Sequence, residues 1–241
     1  MRKLFYLLFI PILISCNKTN NQVDNKFMDD YRYPIDSLTK AKVFVYQRTD
    51  SLDKLSFFLE QVKVEDNNKI FIYVRLNNVN SSQFRDSTVY YYRDKNLILK
   101  DKYTIAKDPK TNLEKVIKCQ ILQYSDSSKK REIKTKCSNP LKESIVTIIS
   151  TTSTFVKKTT FKIFDRNVEC LNMAEQVQIN VNYKYIPFLG KTGEKTGESI
   201  IAKGIGMVYY SMNDKTSNQN LSLQLKEIIN YQTYLEKYRK E

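Results

Sequence analysis

The sequence predicts an all-β domain carrying a small amount of helix, and three observations lead there. Tyr, Phe, Ile, Val and Thr, residues that suit a pleated surface, recur in short runs along most of the chain. Several runs alternate with a period of two: Val177, Ile179, Val181 and Tyr183 fall on one face, with Gln178, Asn180 and Asn182 on the other. Leu221, Leu223 and Leu225 stand in the same relation to Ser222, Gln224 and Lys226. One wet face and one dry face favour antiparallel sheet, because parallel strands are buried on both sides. Third, the runs are separated by "EDNNK", "YRDKN" and "SDSSKK", Asn-, Asp- and Ser-containing stretches that turn the chain where only 5 Gly and 5 Pro are available. With 241 residues, 41% of them hydrophobic, the chain can bury one sizeable core. No composition break, long linker or internal repeat marks a second domain.

Residues 1–15 read as a processing signal. Arg2 and Lys3 supply positive charge, and Leu4 to Ile14 supply an apolar run of 11 residues, against about 20 for a helix that spans a bilayer. The run ends in Leu13-Ile14-Ser15-Cys16, which resembles the lipobox of bacterial lipoproteins: an apolar residue, a small residue before the cleavage point, and a cysteine after it. The resemblance implies diacylglycerol on the Cys16 thiol, cleavage before it and acylation of the new amine with palmitate-like chains. At about 0.8 kcal/mol per buried methylene, two or three such chains hold a protein to a membrane stably. An ordinary secretory signal with an incidental cysteine is the alternative. Residues 16–30 are polar and aperiodic, and predict a flexible tether. Asn17 stands where some relatives carry the Asp of an inner-membrane retention signal, and no acidic cluster follows Cys16. The expectation is an exported protein, anchored by lipid to the outer membrane and facing the periplasm.

The folded domain is expected over 31–230, as a meander of short strands. Their cores are "KVFVYQR", "LSFFLEQVKV", "KIFIYVRL", "TVYYYRD", "LILKDKYTIA", "KVIKCQIL", "SIVTIIST", "TTFKIFD", "VQINVNYKYI", "IIAKGIGMVYY" and "LSLQLKEII". "KIFIYVRL" is apolar on both faces and is expected inside the sheet. "KVIKCQIL" and "REIKTKC" flank "SDSSKK"; a hairpin turning about Ser128 sets Cys119 opposite Cys137. A disulfide there closes a loop of 18 residues, worth about 3 kcal/mol by loop entropy, although spacing alone leaves free thiols equally open. Cys170 remains as a buried apolar residue or an alternative partner. In residues 231–241, Tyr231, Tyr234, Leu235 and Tyr238 recur at helical spacing and predict a short helix that needs docking to persist.

"YRYPIDSLTKAKVFVYQRTDS" and "IIAKGIGMVYYS" resemble the first and late strands of Gram-negative envelope lipoproteins that fold like the Lol-type lipoprotein carriers. The resemblance implies one curved antiparallel sheet, an open half-barrel, whose concave face accommodates an acyl chain or another apolar ligand. This chain departs from those carriers in offering little covering helix between strands.

The sequence excludes more chemistry than it offers. With no histidine, imidazole bases, Ser-His and Cys-His pairs and most zinc sites are ruled out. Three cysteines besides Cys16 are one short of a four-thiolate zinc site. "GKTGEKTGES" (190–199) lacks the earlier glycine of a phosphate-binding loop, since that position is Tyr185, and reads as a surface loop or mobile hairpin. "GIG" at 204–206 is followed by Tyr209 where a dinucleotide fingerprint needs glycine, and reads as a bulge or close approach. The carboxylates Glu65, Asp66, Asp86 and Asp94 sit in turn-like stretches and read as solvated. No enzyme activity, metal or cofactor is expected. Without Arg2 and Lys3 the 40 basic residues fall to 38 against 26 acidic ones, leaving +12. That charge suits anionic, lipid-like partners or a solvated surface; no nucleic-acid-binding pattern is present. Phe57, Phe58, Tyr90, Tyr91 and Tyr92 are the candidate lining of a ligand groove. Two functions follow: binding of an apolar or lipid-like ligand on the concave face, or an interaction module whose concave face is packed and whose surface meets another envelope protein.

Overall fold

The computed structural model describes residues 30–49, 54–76, 84–108, 110–111, 113–127, 129–215 and 219–239. The signal segment, Cys16, nearly all of the tether and Ser128 lie outside the described residues. Among those described, thirteen strands form one wholly antiparallel sheet: β1 (Lys42–Arg48), β2 (Leu55–Glu65), β3 (Asn68–Leu76), β4 (Phe84–Arg93), β5 (Asn96–Lys107), β6 (Glu114–Lys118), β7 (Gln120–Asp126), β8 (Lys130–Ser138), β9 (Ile145–Ile163), β10 (Arg166–Tyr183), β11 (Lys191–Ala202), β12 (Gly206–Asp214) and β13 (Gln219–Asn230). One helix follows, α1 (Tyr231–Tyr238).

The strand order is β6-β5-β4-β3-β2-β1-β13-β12-β11-β10-β9-β8-β7. The ends of the meander, β1 and β13, therefore pair in the middle of the sheet, and its midpoint supplies both edges. Only Cys119 separates β6 from β7, so chain continuity forces the two edges together and curls the sheet past a half-barrel to a nearly closed one. This is also why "KVIKCQIL" is not one strand: it breaks at Cys119, where the chain passes from one edge to the other. Three contacts fasten the seam. The Cys119 amide donates to the Lys102 carbonyl at 2.8 Å, the Tyr124 hydroxyl donates to the Leu97 carbonyl at 2.6 Å, and Cys119 is disulfide-bonded to Cys137 on β8. A register shift between Ile121 and Gln123 makes that pairing possible. Asp126 opposes Arg131, but beyond the bulge Gln120 opposes Lys136, which carries the next residue, Cys119, to Cys137.

Three hairpins turn on two residues with both φ angles positive: Asp66–Asn67, Asp94–Lys95 and Phe164–Asp165. Such turns match the twist of the strands they join. The first two fall in the stretches read as turns. The third lies at the end of "TTFKIFD", which joins "SIVTIIST" in the single 19-residue strand β9. Thr151, Thr152 and Thr154 are polar but β-branched, so the intervening stretch stays extended. β10 likewise starts at Arg166, well before "VQINVNYKYI". "GKTGEKTGES" is neither mobile hairpin nor loop but most of β11. Its Gly197 is required, since a Cβ there sits 1.9 Å from the Ser211 carbonyl oxygen of β12. "IIAKGIGMVYY" divides between β11 and β12 at a turn where Gly204 and Gly206 take positive φ.

The core has two sides. On the convex face α1 lays Tyr234, with Tyr231, Leu235 and Tyr238, over Val43, Val45 and Phe57. No side chain caps the start of this helix by hydrogen bonding, so packing holds it. On the concave face the chain before β1 runs across the sheet. Tyr33 meets Phe44 edge-on at 5.5 Å, and Ile35 and Leu38, in a short 3-10 turn, are buried on Val62, Phe71 and Leu97.

Candidate functional site: a tyrosine-lined cavity

Between that segment and the β8–β12 wall lies a partly open cavity of about 330 Å³. Strand alternation builds its lining. On β2 the inward row is Phe58, Glu60, Val62, and on β10 it is Leu171, Met173, Glu175; in each an acid interrupts an otherwise apolar row. Tyr46, Tyr73, Tyr90 and Tyr210 surround the space, with Phe71, Leu97, Ile201 and Met207 as apolar wall. Tyr46 is fixed by donating to the Met207 carbonyl at 2.8 Å and by Phe58, whose ring it meets edge-on at 5.3 Å. Phe58 in turn stacks on Tyr73 at 5.6 Å.

Two carboxylates of the lining are held differently. Burial pushes the Glu60 carboxyl up to about 8, and the Arg32 charge only partly offsets this. Glu60 is thus largely protonated at neutral pH and faces the cavity as a hydrogen-bond donor. Burial also raises Glu175, against two serine hydroxyls, Ser153 and Ser199, that each donate to it at 2.6 Å, and against the Arg131 charge. Arg131 pairs with Asp126 at 3.2 Å. Burial pulls its guanidinium down, but Asp126 and the neighbouring Tyr90 and Tyr124 more than restore it. The Arg131 Nε is buried without a hydrogen-bond partner, while the Arg131 side chain forms part of the cavity lining. Burial, aided by the Glu175 charge, pushes Tyr210 up to about 12. These tyrosines are neutral donors or acceptors at any physiological pH.

Of the five aromatics expected in a groove, Tyr90 lines the cavity. Phe58 stands behind its wall, and Tyr92 packs on the apolar cluster of Ile35 and Leu38. Phe57 and Tyr91 do not belong to it. Phe57 lies on the convex face against Tyr234, with ring centres 5.0 Å apart, and Tyr91 sits beneath the cations Arg93 and Lys100 at 5.0 and 5.1 Å. The period of two separates Tyr91 from Tyr90 and Phe57 from Phe58, so consecutive aromatics cannot share one groove. Asp66 and Asp94 are turn residues, and Glu65 pairs with Lys100 at the surface. The acids that gather, Glu60, Asp126 and Glu175, were not singled out in the sequence. The signal of Glu60 and Glu175 was an acid at an inward position between apolar neighbours; Asp126, at the end of β7 in a polar turn stretch, carried none. Among the described residues no cluster of three or more His, Cys, Asp or Glu is placed to hold a metal ion.

The fold and cavity define a nearly closed antiparallel barrel with room inside for a small molecule. No protein-family model and no curated protein matches the chain. Two solved structures are similar in chain trace. One is a "putative lipoprotein" from Parabacteroides distasonis ATCC 8503, 14% identical, covering 82% of this chain and 97% of its own, with a TM-score of 0.47. The other is the hypothetical lipoprotein YmcC from Escherichia coli (K12), 13% identical, covering 86% of this chain and 90% of its own, with a TM-score of 0.33.

Proposed function

We propose that this chain is an exported lipoprotein, held by acyl chains on Cys16 in the outer membrane and facing the periplasm, that binds one small amphipathic molecule inside its sheet. The work is burial, not bond making. The carrying observation is the cavity of about 330 Å³, at the small end of ligand sites, with a mostly apolar and aromatic lining and a few convergent polar groups. Its size suits a compact ligand better than a whole acyl lipid. The apolar body rests on Phe71, Leu97, Ile201 and Met207, while protonated Glu60 and the Arg131 side chain meet polar atoms. A fluorescent probe with a fused-ring body, 1-anilinonaphthalene-8-sulfonate, tests this. Its emission rises with the wild-type protein and stays flat with Thr151→Phe, which fills the cavity from β9. Equal enhancement by both, with both folded by thermal melting, contradicts the reading.

A second reading, an interaction module for another envelope protein, is favoured by the way Ile35 and Leu38 of the chain itself occupy part of the concave face. It predicts a stoichiometric protein partner and no small molecule.

A further inference from the structure

The turn between β10 and β11 breaks the rule that exposed apolar side chains are scattered singly. Tyr185 is 84% exposed, Phe188 86%, Leu189 52% and Ile186 39%, all within five consecutive positions. The loop is held, not loose. The Lys184 amide donates to the Ser144 carbonyl at 2.8 Å, Ile186 to Tyr183 at 3.2 Å and Leu189 to Ile186 at 3.1 Å, around a 3-10 turn at Pro187–Leu189. Exposed lysines bracket it, Lys184 before and Lys191 after, with no acid between them; on the adjoining loop the exposed Lys142 is offset by the exposed Glu143.

We infer that the 184–191 tip is a membrane-contact site that dips into the headgroup region of an anionic phospholipid bilayer, the one to which the chain is anchored. Aromatic and aliphatic side chains flanked by lysines are the composition of the water–lipid boundary, where rings sit at headgroup depth and ammonium groups reach phosphates. A projecting tip of four apolar residues offers far less area than the roughly 800 Å² per partner of a stable protein interface. It suffices for a bilayer, where such groups enter only about 5–10 Å.

The position is compatible with the anchor, on whose lipidation this inference rests in part. Residue 30 leaves the sheet at the other end of the β10–β11 ladder, where the Gly204 amide donates to the Asp30 carbonyl at 2.8 Å. The ladder from Cys170–Ala202 to Val181–Lys191 is roughly 37 Å long at about 3.4 Å per residue. The 14 peptide links between Cys16 and Asp30 span up to roughly 48 Å when extended. The tether is therefore long enough for the domain to lean over and set its tip on the same surface.

The chain contains no tryptophan, so Phe188→Trp introduces a single indole reporter at the tip. The experiment uses this variant on a Cys16→Ala background, free of acyl chains, with vesicles of phosphatidylethanolamine and phosphatidylglycerol and with brominated lipids as quenchers. Emission should shift to the blue, be quenched by bromine and return on adding salt. Tyr185→Ser with Leu189→Ser should lower the bound fraction at least tenfold at unchanged melting temperature. An unshifted, unquenched indole, or vesicle binding indifferent to the serine substitutions, overturns the inference. So does loss of a co-purifying protein in the serine variant without loss of vesicle binding. Acylation of Cys16 is read separately, by labelled palmitate on the wild-type chain, so failure of the anchor and failure of the tip are distinguishable.

Discussion

On the convex face of β1 and β2, Val43, Val45 and Phe57 meet Tyr234 and its neighbours on α1 and leave nothing open. On the concave face of the same two strands, Tyr46 and Glu60 border a partly open cavity. The alternation that sends every second side chain outward is identical on both faces; the difference is what it delivers. The outer row is apolar where α1 covers it, at Val43, Val45 and Phe57, and the helix has no capping side chain of its own, so each stabilises the other. The inner row includes an acid whose burial raises its pKa to about 8, a cost that packing alone gives no reason to keep. Around β1 and β2 the outer face is packed shut, whereas the inner face divides between packing on Ile35 and Leu38 and the space that holds the candidate chemistry.

Substitutions can break this comparison, and the largest effect belongs outside. Phe57→Ala removes the ring under Tyr234 and Tyr238, with centroids 5.0 Å from each, and should cost about 3–5 kcal/mol in urea unfolding without changing ligand binding. Next comes the seam. Removing the Cys119–Cys137 bond, by reductant or by Cys119→Ala, frees a loop of 18 residues and should lower stability by about 3 kcal/mol, read as a drop in melting temperature. Closure of the barrel, and hence binding inside it, should weaken with it.

The inner face should respond to pH with a definite sign. Glu60 is raised to about 8 in the folded protein from an ordinary 4.5. Between those values the folded state keeps a proton that the unfolded chain has released, so this group's contribution is complete below about pH 4.5 and lost as pH rises through 8. Glu60→Gln should flatten that decline and make the variant the more stable protein at pH 8, as followed by denaturant titration across the range. The smallest effect belongs to the exposed tip. Phe188→Ser should change stability by less than about 0.5 kcal/mol, while altering vesicle binding.

The same comparison explains what was legible in the sequence. The period of two and the Asn/Asp turns marked the strands, and Tyr231, Tyr234, Leu235 and Tyr238 marked the docked helix, because those signals are local. The break at Cys119 was illegible for the opposite reason: it depends on which strands become sheet edges, a global property that no window of eight residues contains. The long strands β9 and β10 were missed where hydroxyl and lysine residues flank Phe155 and Val156, and where Arg, Asn, Glu and Gln are interspersed with Val168, Leu171 and Met173, because such mixed stretches read as loops unless their partners are known. In the cavity, runs such as Tyr90-Tyr91-Tyr92 are misleading, because adjacency on a strand guarantees opposite faces. The informative residues were solitary acids, Glu60 and Glu175, at inward positions.

The claim that the interior is a binding cavity is tested most directly by native mass spectrometry of the protein released from envelopes without denaturation, compared with Thr151→Phe purified in parallel. A discrete small-molecule adduct on the wild-type chain that is absent from the variant is the predicted result. A clean polypeptide mass for both, or an adduct that persists when the cavity is filled, contradicts it.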